Sequence, residues 1–214
     1  MSAKLRCVLL AATLAIVAIV PGRSSAYVLS GVSWPQVPVP YYVNPTNIDG
    51  LTSAAVEAAV KAGADTWQIQ SGASVGAAFA GESSQTTNTL DSINLVMFRN
   101  ESQGSTIATT YYWFQGSDII DADIVFWNGG FTFNTGSTGC TNGFYIEDIA
   151  AHEFGHFFGL GHSATSTATM FPSTSPCNSS LRSLDPDDIA GIRALYPPLL
   201  NPPPAPSGLH VVIK

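Results

Sequence analysis

Three of the four histidines in this 214-residue chain fall within eleven residues, HEFGHFFGLGH at 152–162. His152 and His156 are four apart, so on a helix they project from one face, one turn apart, and both imidazoles reach one ion. His162 lies six further on, and a continuing helix would carry it about 240° around from His156. The helix must therefore break, and Gly159 and Gly161 supply the backbone freedom that turns His162 back. Three neutral nitrogen ligands with an open fourth position describe a catalytic zinc site. Glu153 directly follows the first ligand, too far around the helix to join the histidines on the metal. It can instead take a proton from a zinc-activated water as that water attacks a carbonyl, and pass it to the leaving amine. The chemistry is peptide-bond hydrolysis without a covalent intermediate. A bare HExxH is a weak signal; the third histidine at this spacing makes it a specific one.

The elements that must hold these residues follow from periodicity. A helix is predicted over about 145–158, carrying the first two histidines. A longer amphipathic helix is predicted over 51–70, with Val56, Val60, Ala64 and Trp67 at helical spacing and Thr52 or Ser53 as its cap. A third runs through SLDPDDIAGIRALY at 183–196, where Asp185 caps, Pro186 suits the first turn, and Asp187 and Asp188 favour the positive end of the dipole. Strands are predicted at 37–43, 75–80, 93–98 (INLVMF), 106–114 (TIATTYYWF) and 123–127 (DIVFW), with 128–143 as loop.

Composition bounds the compartment and the partners. Lys4 and Arg6 precede an apolar run of 14 residues from Cys7 to Val20, followed by Pro21, Gly22 and small residues up to Ala26. This is the pattern of a secretory leader, residues 1–26, and the run is short of the ~20 residues a membrane span needs. The expected product is secreted and carries no membrane anchor. Without the leader, five basic residues face 15 acidic ones, a formal charge of −10. Such a chain has no electrostatic reason to bind nucleic acid or anionic lipid. Cys140 and Cys177 remain, and in an oxidising compartment they are expected to pair, closing a loop at about 4 kcal/mol of stabilisation. The alternative is two free thiols. Residues 199–214 form a proline-rich linker whose words PAPSGLHVVI resemble the opening strand of a fibronectin type III module. One strand cannot make a sandwich, so this tail is expected to be disordered.

The extended zinc motif resembles that of the metzincin proteases. Three features are similar to the matrixins within that clan. Ser163 follows the third histidine; Ala168-Thr169-Met170-Phe171-Pro172 looks like the Met-turn; and Asp187-Asp188-Ile189 with Leu195-Tyr196 looks like the family's last helix. The resemblance implies an α+β catalytic domain over 27–198, with a twisted, mostly parallel five-stranded sheet and three helices. It implies that Met170 lies as an apolar floor beneath the ligands, and that TIATTYYWF is an antiparallel edge strand along which an extended peptide substrate pairs. It further implies that Asp148, one turn before His152, lies at the pocket for the residue after the cut bond, where its charge would favour basic or polar side chains. A monomeric zinc endopeptidase is the expected activity, in a compact form similar to prokaryotic secreted matrixin-like proteases. With no other histidine between 27 and 151, a second, structural zinc is not expected; nor is a cysteine-bearing propeptide before Tyr41. Calcium has candidate ligands in Asp118, Asp121 and Asp123, although exposed acids on a strand edge are the simpler reading. The alternative function is a silent zinc-binding or adhesion module, against which Glu153 argues, since such a module needs no base. An astacin- or serralysin-like enzyme carries tyrosine where this chain has Pro172.

Overall fold

The computed structural model describes residues 26–199. The leader and the proline-rich tail lie outside the described residues, except for Ala26 and Leu199. The chain orders as β1 (Val28–Leu29), β2 (Val39–Asn44), α1 (Ser53–Ser71), β3 (Ala77–Glu82), β4 (Leu95–Arg99), β5 (Ala108–Gln115), β6 (Asp118–Trp127), β7 (Phe133–Asn134), β8 (Phe144–Tyr145), α2 (Ile146–Phe157), β9 (Leu160–Gly161) and α3 (Pro186–Leu195). Five strands form one sheet in the order β3-β2-β4-β6-β5. Its inner pairs are parallel, and β5 runs antiparallel to β6 at the edge. This is an α+β domain with three helices and a mixed sheet. Among the described residues, no helix is long and apolar enough to cross a membrane.

Local chemistry sets most boundaries. Thr52 caps α1, its side chain accepting from Ala55 N, and left-handed Gly72 ends it. Asp185 and Asp188 form a reciprocal capping box at α3, with proline in the first turn. Three expectations need correction. The strand predicted at 75–80 begins two residues later and runs to Glu82. The strand predicted at 123–127 begins at Asp118, because Gly116 at φ 64 and Ser117 make a tight hairpin that carries pairing back to Gln115. The predicted loop 128–143 contains β7, which pairs with β8 directly before α2.

One face of the sheet packs on α1 and α2 around Tyr41, Trp67, Phe126 and Phe154, all buried. The two helices meet at Gly63, where an added Cβ would stand 2.6 Å from Ala150 Cβ and 2.7 Å from Ala151 N. Trp67 Nε1 crosses the same contact to donate to Ala151 O at 2.8 Å. Ala151 directly precedes the first histidine, so this contact sets the depth of the motif helix. Gly63→Ala should gain about 1 kcal/mol of helix propensity yet lose about 1–3 kcal/mol to overpacking against backbone. A net fall in the urea unfolding free energy is expected, and a rise would show that the helices separate freely.

The other face carries Leu95, Met97, Val125 and Trp127, all buried without a helix over them. Segment 83–94 runs across this side into β4, and amides along it and at Leu95 need acceptors. Asp121 and Asp123 provide them: Asp121 Oδ2 accepts from Asp91 N and Ser92 N, both at 2.7 Å, and Asp123 accepts from Leu95 N at 2.9 Å and Thr89 N at 3.0 Å. The reading of these acids as exposed on a strand edge is therefore wrong for two of them. Asp118 is exposed, but β6 is an inner strand, and Asp121 and Asp123 alternate with its core face and point under the loop. Burial pushes the Asp123 carboxyl up to about 7, with Asp121 adding like charge and the two amides opposing. The folded state thus holds a proton that the unfolded chain releases near pH ~4, so stability falls as pH rises from about 4 through 7. Between pH 5 and 8 the parent should lose at least about 1.4 kcal/mol relative to Asp123→Asn. Equal pH slopes in urea titrations of the two proteins would show that Asp123 is ionised throughout.

Candidate metal centre

Helix α2 carries Glu147 and Asp148 in its first turn, suited to the positive end of the dipole, and His156 in its last. It stops at Phe158, and Gly159 adopts φ 100 with its amide donating to His156 O at 2.9 Å. A side chain at Gly159 would also meet Val32 O at 2.2 Å. Gly161 has a different reason from the one expected. Its φ is not positive; it lies opposite Val28 in the β1–β9 pair, where a Cβ would meet Val28 Cγ1 at 2.9 Å. One glycine turns the chain and the other admits the N-terminal strand. The chain then delivers His162 and Ser163, whose amide donates to Met170 O at 2.8 Å.

The three histidines converge, each offering a ring nitrogen within 4.8 Å of the others. His152 Nδ1 lies 2.7 Å from Thr169 O and His156 Nδ1 lies 2.8 Å from Leu160 O. A carbonyl accepts only, so both Nδ1 atoms carry the proton and both Nε2 lone pairs are presented to the shared space. His156 Nε2 stands 3.2 Å from His162 Nε2. Two nitrogens ~2.0–2.1 Å from one tetrahedral zinc are about 3.3 Å apart, so the three-nitrogen donor set and the spacing of this pair fit that ion. Burial lowers His152 and His156 to about 4, and lowers His162 as well, which keeps the imidazoles neutral and able to ligate near pH 7. Among the described residues, no other group of three such side chains gathers its donor atoms in this way.

Glu153 is buried beside the triad. The Thr110 hydroxyl, from edge strand β5, lies 2.7 Å from Glu153 Oε2 and donates to it, leaving Oε1 free. Burial raises the Glu153 carboxyl, opposed by His156 and by Thr110. Thr110 had no signal in the sequence, because its partner is 43 positions away. Met170 is 2% exposed and packs against the motif helix. Its sulfur fills the space at Gly155, where a Cβ would stand 2.1 Å from Met170 Sδ, which accounts for the glycine inside the motif. Asp188 does more than begin a helix: its carboxylate accepts from Thr169 N at 2.7 Å and Met170 N at 3.1 Å.

The triad opens into a cavity of about 510 Å³. Its walls are segment 105–110 with Tyr112 on one side, Ile149 with the motif residues below, and 171–174 with Leu181 on the other. The expected acidic wall is absent. Asp148 is 1% exposed and does not line the cavity. Its carboxylate turns instead to Leu181 N at 3.0 Å and Arg182 Nε at 2.7 Å, because a buried charge needs an opposite charge more than it needs a cleft. Burial raises this carboxyl while Arg182 opposes the rise. Cys140 and Cys177 are bridged, with Cα atoms 5.5 Å apart.

A family model described as Matrixin matches residues 33–197, well over half the chain. The chain belongs to the matrixin family. Among curated matrixin relatives, it is 44% identical over 73 residues to matrix metalloproteinase-20 of Homo sapiens, which is 33% of this chain and 15% of that protein. It is 48% identical over 56 residues to metalloendoproteinase 1 of Glycine max, covering 26% and 18% of the two chains. Over 54 residues it is 48% identical to neutrophil collagenase of Homo sapiens, covering 25% and 12%. The matched stretches thus span less than a fifth of each relative's length.

Proposed function

We propose that this matrixin is a secreted zinc-dependent endopeptidase. The observation that carries the reading is the convergence of His152, His156 and His162, with Nε2 lone pairs presented, beside a buried carboxylate in a cleft bordered by an edge strand. The three histidines would hold the ion. When bound, zinc supplies Lewis-acid polarisation of a carbonyl and acidifies a water. Glu153 Oε1 takes the proton from the attacking water and returns it to the departing amine. Thr110 holds Oε2, so the carboxylate keeps one orientation through both transfers. Thr169 O and Leu160 O keep His152 and His156 in the ligating tautomer, and Met170 supports the ligands from below.

An extended peptide would pair along β5, whose outer edge has no neighbouring strand in the sheet. The −10 charge argues against nucleic acid or anionic membrane as partner, and a monomer suffices because the site draws on one chain. Export rests on the leader pattern in 1–26. For calcium, the support is Asp121 Oδ1, which is buried without a hydrogen-bond partner.

A quenched peptide library incubated with the zinc-loaded protein, with and without a chelator, tests the reading. Chelator-sensitive cleavage is expected. No cleavage by protein shown to contain zinc would favour the silent module.

A further inference from the structure

Two walls of the cavity are built mainly on regular elements, β5 with the residues leading into it and α2, and hold their shape largely through ladder and helix bonds. The third wall does not. Residues 171–185 contain neither helix nor strand, yet they supply Phe171, Thr174 and Leu181 to the cavity. Fixing an irregular segment costs roughly 1–2 kcal/mol of backbone entropy per residue, so a wall of constant shape needs attachments.

The attachments are concentrated and lead to one place. Leu181 is 6% exposed, and its main chain is held on both sides: its amide donates to Asp148 Oδ1 at 3.0 Å and its carbonyl accepts from Thr169 Oγ1 at 2.9 Å. Arg182 forks onto the same helix turn. Its Nε donates to Asp148 Oδ2 at 2.7 Å, Nη2 reaches the same oxygen, and Nη1 donates to Glu147 Oε2 at 2.8 Å. The guanidinium also lies 5.2 Å from the centre of the Tyr145 ring. Farther back, Cys177 is bridged to Cys140 and its amide donates to Gly143 O at 2.9 Å. Asn178 Nδ2 donates to Thr174 Oγ1 at 2.9 Å, which ties the bridged turn to the lining residue.

Asp148 is one helical turn before His152. The position of Leu181 is therefore registered to the first proposed zinc ligand through a single turn of α2. We infer that the Arg182–Asp148 pair and the Cys140–Cys177 bridge form a brace that determines which substrate side chain the cavity accepts, by fixing Leu181 and Thr174. Arg182 and Asp148 are positioning residues. Neither lines the cavity, and the lining residues of this wall, Phe171 to Thr174 and Leu181, are uncharged, so the wall selects by size and gives a charged side chain no counterion. This rests on the peptidase reading of the cleft, but the brace itself does not.

The test uses Arg182→Lys, which keeps the charge and loses the fork, and the double variant Cys140→Ala/Cys177→Ala. Hydrolysis is profiled on peptides varied at the residue after the cleaved bond. The spread in kcat/KM between the best and worst uncharged side chains should narrow about tenfold in each variant, at unchanged zinc content. Hydrogen exchange is followed at the Leu181 amide without substrate: protected in the parent, and faster in both variants. Folded variants with the parent profile overturn the proposal, as does a parent Leu181 amide that exchanges like an exposed one. Variants that unfold altogether overturn a brace confined to the wall. A parent that cleaves nothing defeats the peptidase reading alone, and the exchange result still decides the brace.

Discussion

Glu153→Ala is expected to lower kcat/KM by roughly 10²–10⁴-fold while leaving the zinc content unchanged. Glu153 is one position past His152, rotated about 100° from the ligand face, so in the proposed mechanism it moves protons and does not bind the ion. The substitution leaves α2 intact, since alanine is the best helix former. It removes a carboxyl whose ionisation burial disfavours, and the Thr110 hydroxyl keeps the carbonyl oxygen of residue 153 as an acceptor at 3.0 Å. The thermal midpoint should therefore stay level or rise. Metal analysis beside peptide hydrolysis reads both effects. Near-parent turnover would place the base elsewhere, and joint loss of zinc and activity would make Glu153 a structural part of the site.

Asp188→Ala should be the most damaging substitution away from the triad. The carboxylate is 1% exposed and accepts from three main-chain amides: Asp185 at 2.9 Å, Thr169 at 2.7 Å and Met170 at 3.1 Å. Alanine strands all three donors, each costing about 1–3 kcal/mol when buried without a partner. Burial raises the Asp188 carboxyl, so releasing it returns part of that cost. A net loss of about 3–5 kcal/mol is expected in urea unfolding. The effect should reach the metal, because Thr169 O accepts from His152 Nδ1. Loosening that support should weaken zinc affinity about 10–100-fold in competition with a chromophoric chelator. A loss under about 1 kcal/mol would mean that water replaces the carboxylate, and the link from α3 to the metal would fall.

What the sequence determined by itself lies within reach of one helical turn or one strand period. The antiparallel edge strand is implied only by the family resemblance, whereas the four-residue spacing of His152 and His156, the break at Gly159 and the Thr52 and Asp185 caps all follow from rules spanning a few residues. They hold because their energies are set by adjacent backbone, whatever packs outside. Tertiary structure decided the environment of the buried polar groups. Asp148 reads as a pocket charge until Arg182, 34 positions away, takes it. Asp121 and Asp123 read as exposed until segment 83–94 brings amides over the sheet. Gly161 reads as a hinge until Val28 lies against it. In each case the side chain's role depends on which distant donor, charge or surface satisfies it, and a buried polar group takes whatever partner the packed fold brings to it.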